Sequence, residues 1–154
     1  MDSVSHSAGR NSNIFLKNIT VALIVLFTYA TLSKLLDYQN FHLQLGKSPL
    51  LTGYESIVAW LVPFTEIAIV VLLANKRTNL FGLYASFALL SLFTAYLIVI
   101  LNYSYYIPCS CGGVLQYLSW QAHIVFNICF LLLTGTAVLI FTNNNEKGGL
   151  FSKN

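Results

Sequence analysis

Charged residues are scarce in this sequence: Asp, Glu, Lys and Arg together make up 8% of its 154 residues. An ordinary soluble domain carries about 25% charged residues. Between Arg77 and Glu146 the sequence contains no acidic or basic residue, and 56% of the whole chain is hydrophobic. This composition excludes an ordinary soluble domain and predicts an integral membrane protein.

Further absences narrow the class of protein. The net charge is only +3, and the basic residues are scattered at the ends of apolar runs, unlike the clustered basic face of a nucleic-acid-binding protein. Three cysteines, one of them inside an apolar run, exclude a scaffold built from several disulfides. The sequence shows no internal repeat and no sign of a second domain. We therefore expect a single membrane domain whose partners do not include nucleic acid.

Four apolar runs are long enough to cross a bilayer as helices, which takes about 20 residues each. They cover residues 14–36, 55–74, 80–101 and 115–141. The polar stretches 1–13 and 142–154 are predicted to form a disordered N-terminal tail and a polar C-terminal tail. The first loop contains glycine and proline and has room for a short interfacial helix. The predicted fold is therefore all-α, an integral membrane four-helix bundle over residues 14–141.

The distribution of Lys and Arg predicts the orientation of the bundle, because cytoplasmic segments of membrane proteins are enriched in these residues. One side holds only Lys34 and Lys47. The opposite side, which includes both tails, holds Arg10, Lys17, Lys76, Arg77, Lys147 and Lys153. We expect both termini to be cytoplasmic, with the first and third loops facing outward from the inner (cytoplasmic) membrane.

The third loop contains a Cys-x-Cys pair, Cys109 and Cys111, which follows Pro108 and precedes two glycines. A disulfide across one intervening residue is strained and comparatively oxidising, so it would pass oxidising equivalents to another molecule. The predicted outward side is also the compartment where disulfides persist. We predict that Cys109 and Cys111 are catalytic, and that Cys111, nearer the start of the fourth helix, forms the more stable thiolate. A static disulfide and a reduced pair without a role are the alternatives.

Polar residues inside the spans are candidate binding residues. Glu66 lies near the middle of the second span, about 15 Å from its outer end, where a carboxylate must be protonated, paired or directed into a polar cavity. Lys34 could pair with Glu66 or could extend to the membrane surface. A polar stripe on one face of the fourth span consists of Gln116, Trp120, His123 and Asn127.

We expect a cofactor-binding site in the bundle that contains Glu66, Gln116, Trp120 and His123. His123 could hydrogen-bond a quinone oxygen, transfer a proton or bond to another side chain. The small polar residues of the spans are expected to form hydrogen bonds between helices, among them Thr31, Ser91 and Thr94. Cys129 lies too deep to reach the cysteine pair and is expected to be a small core residue.

The arrangement of these motifs resembles the MauE/DoxX group of small redox-associated membrane proteins. The resemblance covers residues 14–140, and the MauE branch, named for methylamine utilisation, is the closer match. It is carried by Ser33-Lys34-Leu35, by Pro63-Phe64-Thr65-Glu66 and by Cys109-Ser110-Cys111-Gly112-Gly113. It implies a role in disulfide formation or maturation of exported proteins, beside a thioredoxin-like periplasmic partner.

The sequence is more distantly similar to vitamin K epoxide reductase and its bacterial relatives. That resemblance implies that Cys109 and Cys111 exchange electrons with a quinone held in the bundle. The chain departs from the pattern in two ways: its cysteine spacing is Cys-x-Cys, and its first loop has no cysteine pair. A separate protein would therefore have to bring electrons from the substrate.

Three functional hypotheses follow. The first is a membrane thiol–disulfide redox protein that accepts electrons from an exported client or thioredoxin-like partner and passes them to a quinone. The second is a non-catalytic accessory or assembly subunit of a larger membrane complex. The third, a site for Cu(I) or Zn²⁺ formed by two thiolates and a histidine, is disfavoured because Met1 is the only methionine and His123 lies deep in its span. We therefore predict no metal site.

Overall fold

The computed structural model describes residues 3–47, 53–103 and 120–151, with side chains described over 14–47, 53–102 and 122–143. These ranges contain five helices, α1 (Ser3–Leu36), α2 (Tyr38–Gly46), α3 (Glu55–Ala74), α4 (Asn79–Tyr103) and α5 (Trp120–Phe151), and no strand. Four helical segments are long and apolar enough to cross a membrane: Ile14–Leu36, Glu55–Ala74, Asn79–Asn102 and Ala122–Asn143. The prediction of an all-α chain with four potential membrane spans is confirmed for the described residues.

The helices extend further than the predicted spans at both ends of the chain. α1 begins at Ser3 and α5 ends at Phe151, so the structure contains helix in stretches that the sequence predicted as a disordered tail and a polar tail. Neither stretch contains proline, and an existing helix gains one hydrogen bond for each residue added to it. Residues 115–119, the predicted start of the fourth span, lie outside the described residues.

The four long helices form a ring in which α1 and α4 each pack against both α3 and α5. One apolar cluster joins the early part of α1, the end of α3, the early part of α4 and the later part of α5, so successive long helices run in opposite directions. We call this the turn end, because residues 75–78 connect α3 to α4 there. At the opposite end, the loop end, α1 and α4 finish and α3 and α5 begin.

Each long helix buries one stripe of side chains and exposes the rest. On α1 the buried stripe is Ile19, Leu23, Phe27, Thr31 and Lys34, a spacing of three or four residues that keeps one face inward. Large apolar side chains such as Val25, Leu61 and Leu132 are more than half exposed. An apolar outer surface of this kind is what a helix bundle presents to lipid.

The turn end is closely packed. A Cβ atom placed on Gly82 would meet the backbone nitrogen of Leu73 at 2.9 Å, so α3 and α4 approach more closely there than a larger residue would allow. The Asn79 amide nitrogen donates to the Leu73 carbonyl oxygen at 2.8 Å, and the Thr78 hydroxyl donates to that of Leu72 at 3.0 Å. These bonds satisfy carbonyl groups that the end of α3 leaves without a helical partner.

The short helix α2 occupies part of the first loop, where the sequence left room for one. Its Phe41 and Leu45 side chains are buried and pack with Ala59 of α3. The His42 Nε2 atom lies 3.0 Å from the Ser56 hydroxyl oxygen, a second link between α2 and α3. α2 therefore covers the first turns of α3 at the loop end of the bundle.

Candidate functional site

The bundle contains a buried ion pair between α1 and α3. The Lys34 Nζ atom lies 2.7 Å from the Glu66 Oε1 atom, and the two side chains are 6% and 1% exposed. Of the two positions that the sequence allowed for Lys34, the structure shows the paired one. The lysine stem extends into the bundle because Lys34 belongs to the buried stripe of α1.

Thr31 supplies the second contact to the carboxylate. Its hydroxyl donates to the Glu66 Oε2 atom at 2.9 Å, so both carboxylate oxygens accept a hydrogen bond from α1. Thr31 lies three residues before Lys34, the spacing that brings two side chains to one helical face. The lysine also donates to the Ala30 carbonyl oxygen at 3.2 Å.

One N–H donor of Lys34 is not used by any described residue. A lysine ammonium group has three N–H donors, and the described residues accept two of them. A charged group inside a bilayer is costly, so ionisable residues in membrane spans face the bundle interior and pair with one another. The pair has no net charge, and its remaining hydrogen-bonding capacity is a donor, not an acceptor.

Two further polar side chains are buried on α5 near the loop end. His123 is 5% exposed and Asn127, one turn deeper on the same face, is 7% exposed. His123 is close enough to Lys34 for their charges to interact across the contact between α1 and α5. Neither side chain has a hydrogen-bond partner among the residues that the structure describes. Buried polar groups normally have such a partner, so the two unpartnered side chains of His123 and Asn127 are unusual.

The predicted site residues divide into two groups. Glu66, near the middle of α3, and His123, near the loop end, are both buried, and both lie in contact or electrostatic range of Lys34. We call the half of the bundle that contains Lys34 and His123 the loop half, and the other half the turn half. Cys109, Cys111 and Gln116 lie outside the described residues, and so does the side chain of Trp120, although Trp120 begins α5. The catalytic assignment of the two cysteines therefore stays a prediction.

Two expectations about smaller residues are corrected. Cys129 is exposed, so the prediction of a core position was wrong. Position 129 is two residues from the buried Asn127, which turns it about 200° around a helix that repeats every 3.6 residues. Ser91 and Thr94 donate to carbonyl oxygens of their own helix, Phe87 and Leu90, both at 2.7 Å, and not between helices as predicted.

The prediction that Thr31 hydrogen-bonds to another helix is confirmed, although the sequence did not identify Glu66 as its partner. The available signal was its spacing from Lys34, since a residue three positions earlier lies on the same face. Among the described residues no group of three or more His, Cys, Asp or Glu side chains is placed to hold a metal ion.

Four long apolar helices around a buried ion pair define a multi-pass membrane protein. A family model described as methylamine utilisation protein MauE matches residues 12–141. The match covers most of the chain and all four potential spans, so the chain belongs to the MauE family. No curated protein and no solved structure matches the chain. Family membership implies a membrane protein of the kind named for methylamine utilisation.

Proposed function

We propose that this chain is a membrane thiol–disulfide redox protein that supports disulfide formation or maturation of exported proteins. The reacting group is the Cys109–Cys111 pair. Both cysteines belong to the segment 104–119, which connects the end of α4 to the start of α5. The observation that carries the proposal is the buried Lys34–Glu66 pair in the same bundle, with His123 within electrostatic range of Lys34. Ionisable groups inside a membrane span usually mark a functional site.

The exchange balances as a two-electron reaction. A thiolate of the partner protein attacks the Cys109–Cys111 disulfide and forms a mixed disulfide, which the second thiol of the partner then resolves. The partner loses two electrons and two protons and leaves with a disulfide, while Cys109 and Cys111 become thiols. The partner would be an exported client or a thioredoxin-like protein of the periplasm. The cysteine pair is then reoxidised by passing two electrons and two protons to a lipid-soluble acceptor.

A quinone is the acceptor class that the described residues fit, and it would supply the two-electron, two-proton capacity that the reoxidation requires. His123 provides an imidazole that can hydrogen-bond an acceptor oxygen inside the apolar bundle. Glu66 holds the neighbouring Lys34 in place. Gln116 and the side chain of Trp120 lie outside the described residues, so their part in this site stays a prediction.

The orientation of the bundle follows from the number of Lys and Arg residues on each side of the membrane, and the ion pair makes that difference larger. Lys34 is buried against Glu66 and is not a loop charge, so it does not count in the comparison of the two sides. Lys47 is then the one basic residue assigned to the loop end, against six on the other side. We therefore place both termini in the cytoplasm and the cysteine pair on the outer face of the inner membrane.

The experiment compares Cys109→Ser and Cys111→Ser with Cys129→Ser, a matched control because Cys129 is exposed on α5 and is not part of the Cys-x-Cys pair. The first two variants should abolish disulfide formation in exported proteins of cells that depend on this chain, and the control should not. A variant with one cysteine of the pair should trap a thioredoxin-like protein as a mixed disulfide. After reduction, a membrane-impermeant thiol reagent should label Cys109 and Cys111 from outside.

Unchanged disulfide formation in both variants would contradict the redox function. A chain that stably associates with other membrane subunits in that case would be an accessory or assembly subunit of a larger complex.

A further inference from the structure

Three buried hydrogen-bonding groups of the loop half have capacity that no described residue uses. They are the third N–H of Lys34, the imidazole of His123 and the amide of Asn127. An amide or imidazole transferred from water into an apolar interior without a partner costs free energy, and this cost recurs for each such group. His123 and Asn127 share one face of α5, and His123 lies within electrostatic range of Lys34. Two buried side chains without a described partner indicate that something else hydrogen-bonds to them.

The charge of the site limits what that molecule is. Glu66 already neutralises Lys34, so a bound anion would add a buried negative charge that no remaining cation of the site compensates. Lys34 can only donate, whereas His123 and Asn127 both have a donor available, so the shared complement is an acceptor oxygen. The surrounding helices are apolar and their outer faces are exposed to lipid, so the rest of the molecule is apolar too.

We propose that Lys34, His123 and Asn127 together bind the carbonyl oxygens of a neutral, lipid-soluble molecule of the quinone class between α1 and α5. Glu66 and Thr31 are positioning residues, because their bonds hold the Lys34 ammonium group and the facing stripe of α1 in place. The choice of a quinone rests on the proposed redox function, whereas the binding site rests on the buried groups themselves. Lys34 and Asn127 are thereby assigned to ligand contact in addition to His123.

The test is equilibrium binding of decylubiquinone to the purified full chain in detergent, in a Cys109→Ser/Cys111→Ser background where no thiol chemistry occurs. His123→Phe and Asn127→Leu should each weaken binding about tenfold, the loss expected from one buried hydrogen bond. Thr134→Val is the matched control, since the Thr134 hydroxyl is buried on the same helix but donates to the Phe130 carbonyl oxygen at 2.7 Å. Its affinity should equal that of the parent chain.

Two further readouts separate ligand contact from a structural role. Asn127→Leu should leave the thermal unfolding midpoint unchanged or higher, since it removes a buried polar group that has no described partner. Decanoate, an anionic molecule of similar apolar length, should not compete with decylubiquinone. Competition by decanoate would overturn the neutral ligand class, and equal affinity in His123→Phe, Asn127→Leu and the control would overturn the site.

The outcomes for the site and for the redox function are distinguishable. Quinone binding that depends on His123 and Asn127 supports the site even where the cysteine variants leave client disulfides unchanged. Cysteine-dependent disulfide formation in cells without any decylubiquinone binding overturns the site and leaves the redox function with another acceptor.

Discussion

Buried polar side chains are used differently in the two halves of the bundle. In the half toward the turn end, Ser86 and Thr134 each donate to a carbonyl oxygen of their own helix, at 2.7 Å. Toward the loop end, Thr94 also bonds within its own helix, but Thr31 and Lys34 of α1 reach across to Glu66 of α3. Bonds within one helix do not specify a neighbour, whereas bonds between helices fix two elements relative to each other.

The interactions that stabilise the two halves also differ. The turn half is held by a continuous apolar cluster and by the close approach of α3 and α4 at Gly82. The loop half carries a charged pair whose removal from water is expensive and which well-packed apolar residues could replace at little cost in stability. Under the proposed function, the turn half serves packing and the loop half carries the functional site.

The largest expected effect comes from breaking the ion pair on one side only. Glu66→Leu leaves the Lys34 charge buried without its partner, which should lower the free energy of unfolding by about 3–5 kcal/mol. The double variant Lys34→Met/Glu66→Leu removes both charges and should recover most of that loss. Denaturant unfolding in detergent measures both values, and a double variant as unstable as the single one would show that the pair is a structural requirement.

A smaller effect is expected from crowding the turn half. Gly82→Ala places a methyl group against the Leu73 backbone at 2.9 Å and should cost about 1–3 kcal/mol, as overpacking generally does. Gly135→Ala is the matched control, because its nearest neighbour is the Phe87 ring at 3.4 Å, an ordinary contact for a methyl group. The same unfolding measurement applies, and equal stability of the two variants would refute the close approach of α3 and α4.

Much of the fold could be predicted because polar stretches clearly separate the apolar runs of the sequence. The second long span was placed at the boundaries of α3, and the end of the first coincides with the end of α1 at Leu36. Charged or polar residues flank these apolar runs. The Lys34–Glu66 pair was predictable as one of two options because the outer half of the spans offers no other cation. Composition alone could not choose between pairing and surface exposure; the buried stripe that Lys34 shares with Thr31 decides it.

The errors have a common physical origin. Residue type predicted a core position for Cys129 and bonds between helices for Ser91 and Thr94. The face of the helix and the carbonyl oxygen four residues earlier decide these outcomes. A serine or threonine hydroxyl always has the carbonyl four residues earlier within reach in a helix. Thr31 bonds to Glu66 because a charged acceptor lies opposite it, which the sequence of α1 alone does not reveal.

The most direct test of a functional loop half is redox cycling in the charge-free variant Lys34→Met/Glu66→Leu. The measurement is the rate at which decylubiquinone restores the Cys109–Cys111 disulfide after reduction, followed by alkylation of free thiols in proteoliposomes. We predict that this variant remains folded but reoxidises at least about tenfold more slowly than the parent chain, as expected when a buried charged hydrogen-bond donor is lost. Reoxidation at the parental rate would contradict a functional role for the ion pair.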